Sequence, residues 1–236
     1  MTQNKSGKTV ILTGAGISAE SGLQTFRDAN GLWEGHRPEE VATPEAFASN
    51  PDMVHRFYNA RRQKLAEVKP NAAHQALVDL ENYLGDDFLL ITQNVDDLHE
   101  RAGIQRVMHL HGELLKKRCS WCNQVDRCDS DLSVSDVCPV CDRPEGMRPH
   151  IVWFGEMPFR MEEIINAIKE ADQFWAIGTS GQVYPAAGFV EIAKSAGAST
   201  VEMNLEAASN SSLFDESIIG PATETLPPFV GALIAS

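Results

Sequence analysis

The chain has 236 residues, which is enough for one full core and a small additional module. Hydrophobic residues make up 43% and charged residues 22%, as in ordinary globular proteins, and no apolar run approaches the roughly 20 residues of a membrane span. The net charge of −13 argues against nucleic-acid binding, and the first residues lack the pattern of a secretory signal, which predicts a cytoplasmic protein.

Five short apolar segments predict buried strands, and each ends in a turn or a polar residue. In chain order they are KTVILT, DFLLIT, RVMHLH, QFWAIG and STVEMN. Helical patterns lie between several of them: PDMVHRFYNARRQKLAEV, NAAHQALVDLENYL with the cap candidate Asn71, and MEEIINAIKEAD. Alternating strands and helices predict an α/β fold whose parallel sheet has its ligand crevice at the carboxyl ends of the strands.

Two stretches interrupt this alternation. Residues 35–70 predict helices without strands, and residues 114–148 hold the cysteines with no strong periodicity. We therefore expect a nucleotide-binding domain formed by residues 1–34, 71–113 and 149–236, beside a smaller lobe formed by a helical insertion and a zinc-binding module.

The segment GAGISA follows the first predicted strand and fits the dinucleotide fingerprint G-x-G-x-x-A. Gly14 would permit a tight turn, Gly16 would let the backbone approach a pyrophosphate, and Ala19 would allow close packing of the helix. The helix N-terminus would then face the phosphates. No strand ending in an acidic residue follows about 20 positions later, so we expect a dinucleotide bound in an unusual way.

The next stretch, ESGLQTFRDANGLW, shows little periodicity and predicts a loop that could fold over a ligand. Phe26 would cover a ring and Arg27 would hold a phosphate. A surface connection with Phe26 packed inward explains the same residues equally well.

Polar residues follow three further predicted strands. Gln93, Asn94 and Asp96 suit a carboxamide or ribose hydroxyls, although Asn94 or Asp96 could instead cap the next helix. The segments GTS (178–180) and MNLE (203–206) could bond an adenosine, and turn chemistry explains them as well.

Two histidines in HLHG end the third predicted strand, and alternation places His109 and His111 on one face. His111 lies nearer the strand end, before a glycine that frees space, and is the better candidate for a general base. A structural role is the commoner alternative, and it is the one assigned to His36, His55, His74, His99 and His150.

Four cysteines form two C-x-x-C pairs with the spacing of a zinc ribbon: Cys119, Cys122, Cys138 and Cys141. Four thiolates leave no open position for water, so the predicted zinc is structural. Two redox-active pairs are the alternative, and a polar insert argues against it. Cys128 is left over.

Taken together and in this order, these residues resemble the sirtuin family of NAD-dependent protein lysine deacylases. The motifs are GAGISAESGLQTFR, TQNVDDLHERAG, HLHG, the cysteine pairs, RPHIVWFGE and GTSGQVYPA, and they cover nearly the whole chain. The chain is most similar to bacterial members of the class known for removing acidic acyl groups.

The resemblance implies a Rossmann-like domain, a small lobe with one structural zinc ion, and NAD as co-substrate in the cleft between them with the peptide of an acylated protein. The implied cofactor contacts are Ala15, Gly16, Glu20, Phe26, Arg27, Trp33, Gln93, Asn94, Asp96, Gly178, Thr179, Ser180, Asn204, Glu206 and Ala222. The implied peptide-binding stretch, which pairs through its backbone, is Val152, Trp153, Phe154 and Gly155.

In the implied reaction the acyl oxygen attacks the ribose as nicotinamide leaves, and His111 removes a proton from a ribose hydroxyl. The products are free lysine, nicotinamide and O-acyl-ADP-ribose. Protein mono-ADP-ribosylation and a non-catalytic NAD-sensing or zinc-ribbon adaptor are the alternatives. Asp97 departs from the family pattern, where many members carry glycine.

Tyr58 and Arg61 lie three residues apart on a predicted helix and therefore on one face. The family's desuccinylase-type members use a Tyr-x-x-Arg pair in this helix to hold the carboxylate of succinyl, malonyl or glutaryl groups. A solvated arginine beside Arg62 and Lys64 is the alternative.

Overall fold

The computed structural model describes residues 7–24, 33 and 35–235. The strands are β1 (Thr9–Thr13), β2 (Phe88–Thr92), β3 (Val107–His109), β4 (Gly112–Cys119), β5 (Val125–Arg127), β6 (Met147–Ile151), β7 (Gln173–Ile177), β8 (Ser199–Asn204) and β9 (Glu216–Ile219). The helices are α1 (Gly16–Ala19), α2 (Pro38–Val41), α3 (Pro44–Ser49), α4 (Pro51–Glu67), α5 (Ala72–Leu84), α6 (Leu98–Ala102), α7 (Met161–Lys169), α8 (Phe189–Ser195) and α9 (Ala222–Ala235).

The main sheet has six parallel strands in the order β3-β2-β1-β7-β8-β9. From β1 the chain adds β2 and then β3 on one side, and it later adds β7, β8 and β9 in turn on the other side. This is the strand order of a Rossmann-like sheet, and its ligand crevice lies where the order reverses, at the carboxyl ends of β1 and β7.

All five predicted strands are present in this sheet and confirm the predicted fold class. The third one is shorter than predicted, because β3 ends at His109 and His111 lies in the bend before β4. The argument that alternation places both histidines on one face is therefore wrong. The sequence analysis also missed β9, an edge strand whose residues are mostly exposed.

Apolar side chains on both faces of β1 explain why its sequence is a continuous apolar run. Ile11 joins the cluster that includes Leu77 of α5 and Leu226 of α9. Val10 and Leu12 point to the opposite cluster, which contains residues of α7 and α8. The sheet is thus covered by helices on both faces.

The helix starts follow local capping chemistry. The Asn71 side chain accepts hydrogen bonds from the backbone N–H groups of Ala73 and His74 at 3.0 and 3.4 Å, which confirms the predicted cap of α5. Asn50 caps α4 in the same way through the N–H of Met53 at 3.1 Å, and Pro51 starts that helix.

The smaller lobe combines helices α2, α3 and α4 with a three-stranded antiparallel sheet in the order β5-β4-β6. The helices fall where residues 35–70 predict them. The sheet, which the sequence analysis missed, starts at Gly112 and ends at Ile151, so it extends beyond the predicted zinc module on both sides. The domain boundaries at those residue numbers stay a prediction.

Among the described residues no helix has the length and apolar character needed to cross a membrane.

Candidate active site

The residues predicted to carry chemistry follow successive strands of the parallel sheet. Gly14 follows β1, Gln93 follows β2, His111 follows β3 by two residues, and Gly178 follows β7, while Asn204 is the last residue of β8. Because all these strands are parallel, their carboxyl ends meet at one edge of the sheet. The fold therefore brings residues from widely separated motifs together.

The fingerprint turn packs directly on the turn after β7. The N–H of Gly16 donates to the carbonyl of Gly178 at 2.9 Å, and a Cβ atom on Gly16 would lie 2.6 Å from the Cα of Gly178. A Cβ on Gly14 would lie 2.6 Å from the same carbonyl oxygen. These two glycines are thus required by the contact between two turns, which the fingerprint argument did not include. The packing residue of the short α1 is the fully buried Ile17, whereas Ala19 is half-buried.

A buried polar network lies behind this turn. The amide of Asn94 donates to the Gly14 carbonyl and to the Ser18 hydroxyl, both at 3.1 Å. Ser18 donates in turn to Asp96 at 3.0 Å, and the other Asp96 oxygen accepts from the N–H of Leu98 at 3.1 Å. Asp96 therefore supports the first turn of α6 as well as the network, and burial raises the pKa of its carboxyl group.

The His111 ring has a defined tautomer. Its Nδ1 lies 3.1 Å from the carbonyl oxygen of Gln93, and a carbonyl can only accept, so Nδ1 donates. The lone pair of a neutral ring then sits on Nε2, which is the atom able to take a proton. Burial lowers the pKa of His111 against the opposing effect of that hydrogen bond, which favours the neutral base.

The structure explains the glycine after His111 by its backbone conformation and by a close strand contact, whereas the sequence analysis explained it by space around His111. Gly112 has a φ of +87°, and a Cβ atom there would lie 2.1 Å from the carbonyl oxygen of His150. The residue lets β4 approach β6 closely. The N–H of Val152, just after β6, donates to the His111 carbonyl at 2.9 Å, so β6 holds the backbone of His111 while the Gln93 carbonyl holds its ring.

His109 is engaged elsewhere. Its Nε2 lies 2.5 Å from a carboxylate oxygen of Glu100. Burial alone would lower the pKa of His109, but the hydrogen bond and the charge of Glu100 raise it overall. This contact joins β3 to α6. Of the remaining histidines, His55, His74 and His99 are buried, and His150 stacks on Phe159.

The residues predicted for the adenosine side form two groups. The Glu20 carboxylate accepts from the hydroxyl and the N–H of Thr223 at 2.6 and 3.1 Å, beside Ala222 at the start of α9. The amide of Asn204 donates to the fully buried Glu202 at 3.2 Å. The N–H of Gly178 donates to the carbonyl of Met203, next to Asn204, at 2.9 Å; Thr179 and Ser180 follow Gly178 in the chain, and Glu206 is exposed. The predicted contacts Phe26 and Arg27 lie outside the described residues.

Tyr58 and Arg61 of α4 meet at the Trp33 ring. The Arg61 guanidinium carbon lies 4.3 Å from the centroid of that ring, and the ring centroids of Trp33 and Tyr58 are 6.3 Å apart. Tyr58 is fully buried, and its oxygen accepts from the indole N–H of Trp153 at 2.9 Å. Arg61 is half-buried against an aromatic ring, which disagrees with a simply solvated side chain.

The stretch after β6 already uses most of its backbone donors. The N–H groups of Val152, Trp153 and Phe154 donate to the His111 carbonyl, the Glu156 carboxylate and the Ala42 carbonyl at 2.9, 2.8 and 2.9 Å. A peptide pairing here would therefore rely on carbonyl groups and on Gly155.

The four paired cysteines converge in the small lobe, with all four Sγ atoms within 4.8 Å of one another. Two of the separations are 3.7 Å between Cys119 and Cys141 and 3.6 Å between Cys122 and Cys138. Tetrahedral zinc with sulfur at about 2.3 Å requires sulfur atoms about 3.8 Å apart. The residues fit one structural zinc ion, and the buried Cys128 packs beside them.

Comparison with known proteins agrees with this geometry. The model of the Sir2 family matches residues 14–185. This chain belongs to the Sir2 family. The NAD-dependent protein deacylase of Salmonella typhimurium is 59% identical over 225 residues, which cover 94% of this chain and 82% of the relative.

Solved Sir2 structures share the fold. A Sir2 homologue in complex with NAD aligns with a TM-score of 0.87 at 41% identity, covering 95% of this chain and 88% of that one. A Sir2 protein bound to an acetylated peptide aligns with a TM-score of 0.84 at 30% identity, covering 99% and 96%.

Four site residues of this Sir2 chain escaped the sequence analysis. They are Ser18, Glu100, Glu156 and Glu202, which bond Asp96, His109, Trp153 and Asn204 respectively. Ser18, Glu100 and Glu156 lie within recognised motifs, but the motif arguments concerned other residues of those motifs. Glu202 lies inside a strand that was predicted from its apolar residues. Only the tertiary contacts reveal their partners.

Proposed function

We propose that this Sir2 chain is an NAD-dependent deacylase that removes acetyl and acidic acyl groups from protein lysines. The names of its relatives and the NAD and acetyl-peptide complexes of its structural neighbours support the reaction class. The observation that carries the proposal is the oriented His111 base at the edge of the sheet, next to the loop of Gln93, Asn94 and Asp96.

The described residues fit NAD at this edge. Asp96 is a buried carboxylate that pairs with no cation among the described residues, and it accepts from Ser18 and Leu98 alone within that part of the chain. Its remaining lone pairs suit amide or hydroxyl donors of a ligand. With Gln93 and Asn94 it would surround the nicotinamide and its ribose, and the groups near Gly178 and Asn204 would hold the adenosine.

When bound, NAD supplies a ribose carbon that takes the acyl oxygen as nicotinamide leaves. His111 acts on the ribose hydroxyl: Nδ1 stays committed to the Gln93 carbonyl, and Nε2 receives the proton. The deprotonated ribose hydroxyl would then be free to take the acyl group, and with one water molecule consumed the products would be free lysine, nicotinamide and O-acyl-ADP-ribose.

Acidic acyl groups would be held by Tyr58 and Arg61. Two observations support this: both side chains contact Trp33 within a largely apolar cluster, and burial, the larger effect, raises the pKa of Tyr58 while the charge of Arg61 acts to lower it. A planar cation beside a hydroxyl matches a carboxylate at the end of a succinyl or malonyl chain. The zinc ion would have no part in these steps, and the cytoplasmic location stays a prediction.

The deciding experiment measures nicotinamide release from NAD with an acyl-lysine peptide for the wild type and for His111→Ala. We expect acyl-peptide-dependent release in the wild type, and a loss of at least about 100-fold in the variant, since general bases contribute about that much or more. The products must include O-acyl-ADP-ribose. If the product were ADP-ribosylated protein instead, the chain would be a mono-ADP-ribosyltransferase. If the wild type released no nicotinamide, the chain would be a non-catalytic adaptor.

A further inference from the structure

The indole of Trp153 makes a buried hydrogen bond with the proposed acyl receptor. Its Nε1 donates to the Tyr58 oxygen at 2.9 Å, and both side chains are at most 2% exposed. The two residues lie 95 positions apart in the sequence, one on α4 and one just after β6. The bond therefore connects α4 with the segment after β6, and it does so at Tyr58, one of the two residues proposed to bind the acyl carboxylate.

The indole cannot readily turn away from this bond. The Arg148 guanidinium carbon lies 3.4 Å from the centroid of the Trp153 ring, and Arg148 forms a two-pronged ion pair with Glu156 at 2.6 and 2.9 Å. The same Glu156 accepts the backbone N–H of Trp153 at 2.8 Å. Phe47 packs on the ring with its centroid 5.3 Å away.

This arrangement determines what Tyr58 can offer to a ligand. A phenol carries one proton, which lies near the ring plane in one of two positions, and the indole N–H excludes the position that faces it. Among the described residues the bond from Trp153 is the one hydrogen bond made by the Tyr58 oxygen. Burial raises the pKa of Tyr58, so the proton is retained and can be donated on the other side.

We propose that Trp153 is a positioning residue for acyl selection: its N–H holds the Tyr58 hydroxyl with the proton directed at a carboxylate on the acyl chain. The inference rests on the proposed role of Tyr58 and Arg61. Trp153 itself does not touch the acyl carboxylate. A neutral acetyl group gains nothing from the directed proton, so the effect is one of selectivity.

The experiment compares Trp153→Phe with the wild type on succinyl-lysine and acetyl-lysine versions of one peptide at saturating NAD. We expect the ratio of kcat/KM, succinyl over acetyl, to fall about three- to tenfold, as for the loss of one neutral hydrogen bond. The fall should lie mainly in KM for the succinyl peptide. In a Tyr58→Phe background, Trp153→Phe should not lower the ratio further.

Trp175→Phe is the matched control, because Trp175 is another fully buried tryptophan whose Nε1 donates to Gln173 at 3.1 Å, in the core of the main sheet. Its ratio should equal that of the wild type. Benzothienylalanine at position 153, which keeps the bicyclic shape without the N–H, gives the same comparison if the phenylalanine variant folds poorly.

Two results would overturn the inference while leaving the proposed function intact. One is an unchanged ratio in Trp153→Phe when Tyr58→Phe lowers it. The other is an equal fall with and without the Tyr58 hydroxyl. A wild type that removes acetyl but no succinyl groups, or a Tyr58→Phe ratio equal to that of the wild type, would instead overturn the proposed acyl receptor, and the inference with it.

Discussion

Arg61 carries the charge of the proposed acyl receptor, and its position is set by aromatic contacts. The guanidinium lies over Trp33 at 4.3 Å and near Phe57 at 5.7 Å. An arginine held against ring faces is already ordered and partly desolvated, so it loses less entropy when it binds a carboxylate. Its neighbour Arg62 is buried and donates to the Leu114 carbonyl at 3.3 Å, so Lys64 is the exposed member of the run formed by Arg61, Arg62 and Lys64.

We expect Arg61→Met to lower desuccinylation about 10- to 200-fold more than deacetylation, because a charge-assisted hydrogen bond contributes about 1.5–3 kcal/mol. The measurement is kcat/KM for succinyl- and acetyl-lysine peptides. Lys64→Met is the control, since Lys64 lies on the same helix, is exposed and pairs with Glu67 at 3.0 Å. Equal losses on both substrates would rule out a carboxylate receptor at Arg61.

At the scale of elements, the contact between the turns after β1 and β7 explains the glycines of the fingerprint. Gly16 has no strained backbone that would require glycine, so the cost of a side chain there comes from the clash with Gly178. Gly231 of α9 provides the opposite case, because a Cβ atom there would meet nothing within 4 Å. The same substitution should therefore change stability in opposite directions at the two sites.

We expect Gly16→Ala to lower the free energy of unfolding by about 1–3 kcal/mol, as for overpacking, and Gly231→Ala to raise it by up to about 1 kcal/mol through helix propensity. Urea denaturation without NAD measures both. If Gly16→Ala proved as stable as the wild type, the two turns would have to separate easily. In that case the glycine would be explained by ligand approach instead.

Four of the five strands that the sequence predicted, β1, β2, β7 and β8, are buried along most of their length, whereas β3 at the edge of the sheet is half-buried. The strands of the main sheet such as Thr9–Thr13 read as apolar runs because helices cover both faces. β9 and the sheet of the small lobe lack this signal. β4 is half-buried along most of its length, and its pairing with β6 shifts register between Gly112 and Lys117. Only long-range pairing defines such strands.

The same limit applies within the site. The sequence pointed to His111, Asn94 and Asp96 because polar residues after strands are visible in a linear pattern. It could not show that Ser18 joins Asp96 across 78 positions. Nor could it show that the Gln93 carbonyl fixes the His111 tautomer, because every residue has a backbone carbonyl and the sequence does not indicate which one lies beside the ring.

At the scale of the whole molecule, the cysteine cluster and the proposed base His111 are connected through the same pair of strands. β4 starts directly after His111 and ends at the first zinc ligand, Cys119. Its partner β6 leads into Val152, whose N–H donates to the His111 carbonyl at 2.9 Å. The apolar cluster around the cysteines is small, so the metal must supply much of the stability of this module.

We therefore expect Cys138→Ser to lose zinc, to unfold at a lower temperature and to lose most deacylase activity, although the metal does no chemistry. Cys128→Ser is the matched control: Cys128 is buried in the same cluster and its thiol bonds the Ser130 carbonyl at 3.4 Å, but it lies outside the ligand set. It should retain one zinc per chain and its activity. Zinc content, thermal unfolding and turnover are measured on both variants. A zinc-free Cys138→Ser enzyme with full turnover would show that His111 keeps its place without the metal, and that the β4–β6 pair is stable alone.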